Sequence, residues 1–374
     1  MVTGATGLLG SHLLCHLARC GETIIALKRY KSHVEETMAL FSCYFDSPGD
    51  AISRVTWVVG DVLDGESVAP FVEKVDTVYH CADMVSFNGS DRNTLLETNI
   101  KGTENICKIC LERGVRLCFV SSIAALGDAP NESVVIDEKT PEISGSVDSL
   151  YSGSKGESEK IVWESVRQGL DVVIVNPAII LGAGLRGRSS VKLFEQASKG
   201  MPFYTEGVNG YVDVRDVCEL MIRLAKDRAV RGERFVLCGG NYSYRELFTV
   251  IARVVGKRPP CIRMTPWMTG LAWRLLAFVT LCTGKKRLSR RKQLVRLNIN
   301  PVIPAQRCCL FFPIFIFPRL KRRPVFSKIC NCGSLGESLG GANGKLPEGR
   351  DIHKVVVLLI IRLTLYILRK DVQK

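Results

Sequence analysis

The sequence predicts an α/β protein with a doubly wound parallel sheet, a smaller C-terminal domain and an irregular tail. Three observations lead to this prediction. The chain opens with a glycine-rich turn, TGATGLLG, that runs directly into an apolar helical pattern. Over residues 2–240, short apolar runs alternate with helical patterns, and these runs lack the polar alternation of half-exposed strands. Beyond about residue 240 this rhythm ends.

The individual elements follow from the pattern in chain order. The leading strand has only Val2–Thr3 available to it, so we expect the chain as given to lack a few residues there. The later runs predicted to be buried strands are Thr23–Leu27, Val55–Val59, Thr77–Cys81, Arg116–Val120 and Asp171–Val175. The helical patterns between them are Leu8–Arg19, Leu95–Arg113 and Ser154–Gln168. Glycines stand where these helices are expected to end, at Gly21, Gly114 and Gly169.

The region after residue 240 is predicted to form the smaller domain. Ser243–Val255 has a helical pattern, and Pro259–Pro260 then breaks the chain. Trp267–Cys282 is apolar but is interrupted by Gly270 and Arg274, which favours a packed helix over a membrane span.

Residues 297–374 lack the pattern of a folded domain. The stretch CCLFFPIFIFPRLKRRP groups aromatic residues around prolines, which neither continue a helix nor donate to a sheet ladder. A glycine-rich spacer follows, and we expect at most one isolated helix, at Val355–Leu368. We expect this tail to pack little against the rest and to contribute nothing to a functional site. A misread reading frame is one explanation for it.

The net charge of +14 is concentrated in one late segment. Residues 285–328 hold thirteen Lys and Arg and no Asp or Glu, so the rest of the chain carries about +1. Such a segment would adhere to nucleic acid without sequence preference, and no readout motif accompanies it. We therefore expect no specific nucleic-acid partner. This segment and its aromatic neighbours could instead contact anionic lipid. We favour the absence of membrane contact over this alternative.

Fifteen cysteines are scattered along the chain. Cys107 and Cys110 lie three residues apart within a predicted helix, and no second pair stands at the spacing of a zinc site. We expect no metal site. The glycine turn begins at Gly4 and leaves no room for a signal peptide, so we expect a cytoplasmic protein with reduced, mostly buried thiols.

The opening turn places Gly4, Gly7 and Gly10 at a G-x-x-G-x-x-G spacing between a strand and a helix. Such a turn lets the backbone approach a pyrophosphate closely and aims free helix N–H groups at it. It therefore predicts a dinucleotide site of the Rossmann type, although glycine-rich turns also serve plain packing. The residues predicted to line the cofactor here are Thr3, Gly4, Thr6, Gly7, Leu8, Leu9 and Gly10.

The second predicted strand leads into Lys28 and Arg29. Sites that favour NAD usually carry Asp or Glu at this point, where the carboxylate accepts a hydrogen bond from the ribose 2′-hydroxyl. Two cations would instead pair with a 2′-phosphate. We therefore expect NADP(H) to be the preferred cofactor, with NAD(H) possible. The alternative is that both residues are solvated charges at a strand end.

Tyr151 and Lys155 lie four residues apart in LYSGSKGESEK, so a helix would place them on one face. A nearby ammonium favours the phenolate and is expected to bring the pKa of the tyrosine, about 10 when free, closer to neutral pH. Upstream, FVSSIAALG places Ser122 at the end of a predicted strand, where its hydroxyl can bind a substrate oxygen. A tyrosine and a lysine at this spacing are common on helix surfaces, and it is the order of glycine turn, serine, tyrosine and lysine that indicates chemistry.

The ordered motifs of the chain resemble those of one family. They are VTGATGLLG, GDV at Gly60–Val62, YHCADMVSF at Tyr79–Phe87, TNIKGTENI at Thr98–Ile106, FVSSIAALG, YSGSK, VNPAIILGAG and GYVDVRDV. Over residues 2–217 the chain is similar to extended short-chain dehydrogenases/reductases. It is nearest in style to the dihydroflavonol-reductase and 3β-hydroxysteroid-dehydrogenase-like branch of the NAD-dependent epimerase/dehydratase superfamily. A softer similarity continues to about residue 296.

This resemblance implies a role for each matching residue. The catalytic set would be Tyr151 as acid–base, Lys155 holding the nicotinamide ribose, Ser122 orienting the reacting oxygen and Asn99 bracing the site. Tyr151 and Lys155 would also contact the cofactor, and Arg29 stands where the reductase branch carries its 2′-phosphate arginine. The remaining cofactor contacts would be Asp61 and Val62 at the adenine, Cys81, Ala82 and Asp83 along the cofactor path, and Pro177, Ala178 and Ile180 near the nicotinamide amide. Asp83 departs from the family pattern, because small apolar residues are usual there.

The resemblance also implies a division of the chain. Residues 1–240 would be the NAD(P)-binding Rossmann domain, with residues 178–207 contributing to the substrate pocket. Residues 241–296 would be the small substrate domain, and residues 297–374 would lie outside the family fold. A homodimer is a possible assembly.

Three interpretations of the function stay open. The favoured one is an NAD(P)-dependent oxidoreductase that transfers a hydride between the nicotinamide and a ketone, aldehyde or alcohol, so its partner would be a small-molecule carbonyl or alcohol substrate. The second is a nucleotide-sugar epimerase or dehydratase. The stretch VNPAIILGAG argues against it, because it follows the reductase style. The third is a non-catalytic cofactor-binding remnant, suggested by the short first strand and the unusual tail.

Overall fold

The computed structural model describes residues 1–86, 89–126, 136–140, 150–184, 190–205, 207–265 and 267–268. Its strands are β1 Val2–Thr3, β2 Ile24–Lys28, β3 Val55–Val59, β4 Thr77–His80, β5 Arg116–Val120, β6 Val172–Pro177, β7 Ile179–Leu181, β8 Phe203–Tyr204, β9 Val208–Asp213, β10 Glu233–Leu237, β11 Gly240–Ser243 and β12 Ile262–Arg263. Its helices are α1 Leu8–Arg19, α2 Glu35–Tyr44, α3 Gly49–Ser53, α4 Gly65–Val72, α5 Arg92–Leu96, α6 Gly102–Arg113, α7 Leu150–Arg167, α8 Val191–Ser198, α9 Val214–Lys226 and α10 Tyr244–Val254. A π-helical turn, Glu97–Lys101, joins α5 to α6.

A parallel seven-stranded sheet lies at the centre, in the order β3-β2-β1-β4-β5-β6-β10. β1 is flanked on both sides, because Val2 pairs with Ala26 of β2 and with Tyr79 of β4. The strand order reverses here, since β2 and β3 extend to one side of β1 and β4 to β6 extend to the other. Such a sheet opens a crevice at the carboxyl ends of the strands where its order reverses. The predicted doubly wound parallel sheet is confirmed.

Helices cover both faces of this sheet. On one face, α1, α2 and α9 bury side chains such as Leu13 and Met221. On the other face, α4, α6 and α7 bury Val72, Ile106 and Val162. Each such side chain stabilises the fold by about 1.5–3 kcal/mol relative to its exposed state. Because both faces are covered, the strands are apolar without alternation, as the sequence showed.

The predicted elements agree with the observed ones to within a few residues. Helix α7 begins at Leu150, before the predicted start, which places Tyr151 in its first turn. The helix predicted at Leu95–Arg113 continues from α5 into α6 and contains the π turn. Gly21 and Gly114 follow α1 and α6 with φ of +79° and +63°, so they end these helices as predicted.

A second, three-stranded sheet, β11-β9-β7, lies beyond the central one. With α8 and α10 it encloses a smaller apolar core, whose buried members include Leu181, Phe194, Tyr211, Phe248 and Ile251. Helix α10 begins at a capping box in which Ser243 and Glu246 satisfy each other's backbone N–H groups. This core takes residues from both sides of position 240, and the domain boundaries given above stay predictions.

Several predictions concern residues that the structure does not describe. The basic segment 285–328, the tail 297–374 and its Val355–Leu368 helix lie wholly beyond residue 268. The apolar stretch Trp267–Cys282 lies almost wholly beyond it. Among the helices of the described ranges, none combines the length and the apolar character that crossing a bilayer requires.

Burial keeps three histidines neutral. It lowers the pKa of His12 and His16 to about 4 and that of His80 to about 3. An unfolded chain protonates its histidines near pH 6.5, so below that pH the unfolded state binds protons that the folded state excludes. Stability is therefore highest above about pH 6.5 and is lost as the pH falls toward 4. Asp216 opposes this trend, because burial raises its pKa to about 6.

His16 provides a test of this pH dependence, since its Nε2 has no hydrogen-bond partner among the described residues. Replacing His16 with Gln removes one titrating group. We expect the slope of unfolding free energy against pH, measured by urea unfolding between pH 6.5 and 5, to fall by up to about 1.4 kcal/mol per pH unit. His33→Gln is the matched control, because this side chain is 88% exposed. Equal slopes in the two variants would contradict the assignment.

Candidate active site

The residues predicted for chemistry meet at the carboxyl edge of the central sheet. Ser122 follows β5 and caps a 3₁₀ turn, where its Oγ accepts the Ala124 N–H at 3.1 Å. Tyr151 and Lys155 lie on the first two turns of α7. The Lys155 ammonium donates to the Val120 carbonyl at the end of β5, at 3.0 Å, and so anchors α7 to that strand.

The Tyr151 phenol lies between Ser122 and Asp83. Its hydroxyl shares a hydrogen bond with the Ser122 side chain and donates to Asp83 Oδ2 at 3.3 Å. Burial and then the Asp83 charge raise the pKa of Tyr151 well above 10, while the hydrogen bond with Ser122 acts in the opposite direction. The expectation that Lys155 would bring this pKa toward neutral pH is therefore wrong in this structure, because burial and then the Asp83 charge raise the pKa.

The Lys155 ammonium is buried and paired. Its side chain is 4% exposed, and Nζ lies 3.3 Å from Asp83 Oδ2 as well as 3.0 Å from the Val120 carbonyl. The Phe119 ring lies beneath it, with its centroid 5.6 Å from Nζ. An unpaired charge at this depth would cost several kcal/mol, and these partners offset that cost.

Asn99 holds the segment that follows β4. It lies in the π-helical turn and is 2% exposed. Its Oδ1 accepts the Met84 N–H at 2.8 Å, and its Nδ2 donates to the Met84 carbonyl at 3.1 Å and to Ser154 Oγ at 3.0 Å. Single π turns inside helices are frequent at functional sites. The amide of Asn99 thus ties the chain after β4 to helix α7.

A chain of buried hydrogen bonds supports the same segment from below. The Ala82 N–H donates to Thr3 Oγ1 at 3.1 Å, and the Thr103 hydroxyl donates to the Asn99 carbonyl at 2.6 Å. Between them, the His80 ring contacts Thr3 Oγ1 through Nδ1 at 2.7 Å and Thr103 Oγ1 through Nε2 at 3.3 Å. Because the Thr103 hydroxyl proton is used in the hydrogen bond to the Asn99 carbonyl, Thr103 Oγ1 must accept from His80. His80 therefore carries its proton on Nε2, and its Nδ1 accepts from the Thr3 hydroxyl. All donors in the chain then point one way.

A second buried cluster beneath Ser122 was not predicted from the sequence. Glu159 is fully buried and accepts from the Ser121 hydroxyl, from Asn176 Nδ2 at 2.8 Å and from Arg234 Nη1 at 3.0 Å. Asn176 Nδ2 also donates to the Ser122 carbonyl at 3.1 Å. The carboxylate therefore fixes the backbone that carries Ser122.

The sequence does hold a signal for this cluster. Glu159 stands four residues after Lys155 and eight after Tyr151, so all three share one face of α7. No sequence pattern links Arg234 to this cluster, because only the tertiary fold brings β10 close to α7.

Two of the three turn glycines are required by the chain's own packing. Gly4 has φ +63°, and a Cβ there would lie 2.6 Å from the Cys81 carbonyl group. A Cβ on Gly10 would lie 2.2 Å from the Gly4 carbonyl oxygen. Gly7, by contrast, is exposed, and α1 starts after it with no side-chain cap and no acidic residue in its first turn. This uncapped helix end is the part of the turn that is open to an anion.

The other predicted cofactor residues line the same edge. Among the turn residues, Thr6 and Leu8 are half-buried, and Thr3 and Leu9 are buried. Lys28 is half-buried and Arg29 is exposed at the end of β2, and neither forms an ion pair within the described part of the chain.

The segments after β3, β4 and β6 flank that edge. Asp61 Oδ1 accepts the Leu63 N–H at 3.0 Å, and the buried Val62 accepts at its carbonyl from Asn105 Nδ2 at 2.9 Å. Cys81, Ala82 and Ile180 are half-buried, whereas Pro177 and Ala178 are buried. In the described ranges, no group of three His, Cys, Asp or Glu side chains could hold a metal ion.

Known proteins match the chain over most of its length. The model of the NAD dependent epimerase/dehydratase family matches residues 1–238. The chain is 31% identical over 284 residues to "Sterol demethylase protein B" of Methylococcus capsulatus, covering 73% of this chain and 79% of that protein. It is 27% identical over 273 residues to a "Putative dihydroflavonol 4-reductase" of Synechocystis sp., covering 71% and 75%. Among solved structures, gox2253 superposes with a TM-score of 0.66 at 27% identity, covering 86% and 92%.

The buried Glu159–Arg234 pair allows a stability test. Glu159→Ala leaves the Arg234 guanidinium, whose side chain is 9% exposed, without its carboxylate. We expect the free energy of unfolding, measured by chemical denaturation, to fall by about 3–5 kcal/mol. Glu157→Ala on the same helix is the control, because its pair with Lys160 is exposed and should be worth less than about 1 kcal/mol. Similar losses in the two variants would show that Glu159 does not hold the site together.

Proposed function

The chain belongs to the NAD-dependent epimerase/dehydratase family, and we propose that within it the protein is an NADP(H)-preferring oxidoreductase. Its reaction would interconvert a small ketone or aldehyde and the corresponding alcohol. The observation that carries this proposal is the meeting of the Tyr151 phenol, the Ser122 hydroxyl and the Lys155 ammonium at one point of the sheet edge. The name of the relative from Synechocystis sp., a putative dihydroflavonol 4-reductase, also supports it.

The three side chains have complementary tasks in carbonyl reduction. Tyr151 keeps its proton at neutral pH, because burial and Asp83 raise its pKa, so it can act as the acid. As hydride adds to the carbonyl carbon, the electron pair of the C=O bond moves to oxygen, which takes the Tyr151 proton. The Ser122 hydroxyl orients that oxygen. The Lys155 ammonium stabilises the phenolate that is left behind.

The crevice suits a dinucleotide. The uncapped N-terminus of α1 beside the exposed Gly7 offers backbone N–H groups to a pyrophosphate. Lys28 and Arg29 stand nearby at the end of β2, without carboxylate partners in the described ranges, where a 2′-phosphate would place its charge. A bound nicotinamide dinucleotide supplies the hydride or accepts it in the reverse reaction.

Two alternatives follow from the family and from the chain itself. The family description includes epimerases and dehydratases, so a nucleotide-sugar substrate is the second candidate. A cofactor tightly bound after purification would favour it, since such enzymes recycle their cofactor within one turnover. A protein that binds cofactor without turnover would support the third candidate, a non-catalytic remnant. Cytoplasmic location and a homodimer are further parts of the proposal.

Tyr151→Phe tests the acid. The variant keeps the ring but removes the proton, so turnover should fall by about 10²–10⁴-fold while the dissociation constant for NADPH, measured by fluorescence titration, stays within about threefold. Tyr30→Phe is the control, because that tyrosine is 85% exposed and should leave turnover unchanged. Full turnover by the Tyr151 variant would remove this residue from the mechanism.

Arg29→Asp tests the cofactor preference. Wild-type protein should bind NADPH more tightly than NADH, because the guanidinium can pair with the 2′-phosphate. Loss of a charge-assisted hydrogen bond costs about 1.5–3 kcal/mol, so the variant should reduce the affinity ratio about ten- to a hundredfold. Lys31→Asp makes the same change of charge two residues later and should alter the ratio far less. A wild type that prefers NADH would refute the preference.

A further inference from the structure

An unexpected carboxylate lies at the centre of the candidate active site. Asp83 Oδ2 is 3.3 Å from the Tyr151 hydroxyl and 3.3 Å from Lys155 Nζ, so one oxygen contacts both groups. The Asp83 side chain is 18% exposed, and its Oδ1 is buried with no hydrogen-bond partner among the described residues. The proposed reaction gives this carboxylate no task, because Tyr151 already serves as the acid.

The backbone on both sides of Asp83 is held rigidly. Before it, the Ala82 N–H is fixed by Thr3 at 3.1 Å. After it, both backbone groups of Met84 are bonded to the Asn99 amide, at 2.8 and 3.1 Å. A residue clamped between two anchored neighbours keeps its carboxylate in place, so the charge at the phenol is a fixed part of the site.

The charges that face Tyr151 come from two elements. From α7 come the Lys155 ammonium and, farther along the same face, the Glu159 carboxylate, which is neutralised by Arg234. From the end of β4 comes Asp83, which is preceded by two groups that burial keeps neutral: the pKa of the His80 ring is lowered and that of the Cys81 thiol is raised. Ser122, after β5, is uncharged. Asp83 is therefore the anion that offsets Lys155 at the phenol.

We propose that Asp83 is a positioning residue that keeps the proton on Tyr151 and so raises the pH at which alcohol oxidation begins, while leaving the phenol protonated as the acid of carbonyl reduction. The inference rests on the proposed function. In reduction, the phenol O–H bond breaks and the proton moves to the substrate oxygen, after which the phenolate takes a proton back from solvent. In alcohol oxidation, the phenolate must be present first, and a carboxylate that accepts a hydrogen bond from the phenol O–H and repels the phenolate charge disfavours it. Asp83 thus keeps the acid of the first direction protonated and moves the onset of the second to higher pH.

Asp83→Asn tests this directly, because the amide keeps the shape and removes the charge. The ionisation of Tyr151 can be followed by ultraviolet difference absorbance of tyrosinate at 295 nm during a pH titration. The step in absorbance that belongs to Tyr151 is the one that is lost when Tyr151→Phe is introduced into the same protein. We expect this step at least about one pH unit lower in Asp83→Asn than in the wild type, which is about tenfold in the proton equilibrium. Asp91→Asn is the control, because its carboxylate accepts from the hydroxyls of Ser86 and Ser90 instead.

The second measurement is the pH profile of kcat/KM for alcohol oxidation. Its rising limb should move to lower pH in Asp83→Asn and return in Asp83→Glu, while a merely structural role would change the rate and leave the limb in place. If Asp83→Asn does not fold, Asp83→Ala serves the same titration. A Tyr151 step at the wild-type pH or above it would overturn the proposal. Because this step needs no turnover, a protein without redox activity would refute the proposed function while still deciding whether Asp83 controls the tyrosine.

Discussion

The candidate site depends on one constraint, which is that buried polar groups must find hydrogen-bond partners. At the point where the strand order reverses, Thr3 of β1 and His80 of β4 lie side by side inside the sheet, where water does not reach them. Their side chains satisfy each other and extend the chain of donors from the Ala82 N–H to the Asn99 carbonyl. An unpaired member would cost about 1–3 kcal/mol, so this arrangement has one low-energy form and the loop after β4 has one position.

The glycine turn depends on the same close approach. Gly4 can lie against the Cys81 carbonyl, and Gly10 against Gly4, because neither carries a Cβ. The contact brings the start of α1 next to the loop that carries Asp83. The spacing that suggests a pyrophosphate site is thus also a packing requirement, which is strictest at Gly4 and Gly10. At the exposed Gly7 a Cβ would lie 3.1 Å from the Gly4 carbonyl oxygen. A glycine motif read from sequence can therefore serve two physical purposes at different positions.

Charge pairing explains the rest of the arrangement. Helix α7 carries three ionisable side chains on one face, of which Lys155 and Glu159 are buried and Tyr151 is half-buried. Each has partners from another element: Asp83 and Val120 for Lys155, Arg234 for Glu159, and Asp83 and Ser122 for Tyr151. The pairs position the helix relative to β4, β5 and β10 at once. A low local dielectric strengthens each pair and makes each lost partner costly. The chemistry and the stability of the site consequently share the same contacts.

The sequence by itself determined the parallel sheet, the helices with their glycine ends, the family and the set of side chains at the sheet edge. These follow from local pattern, since covered strands are apolar throughout and a four-residue spacing shares one helix face. Only the tertiary structure decided how those side chains act on one another. Asp83 is distant in sequence from Tyr151 and Lys155, and burial together with the Asp83 charge reverses the pKa shift that the spacing of Tyr151 and Lys155 suggests. Arg234 reaches Glu159 only because β10 pairs with β6. Such contacts join segments that are far apart in the chain, and neither segment's sequence pattern indicates the other. The strength of these contacts depends on how deeply the fold buries them.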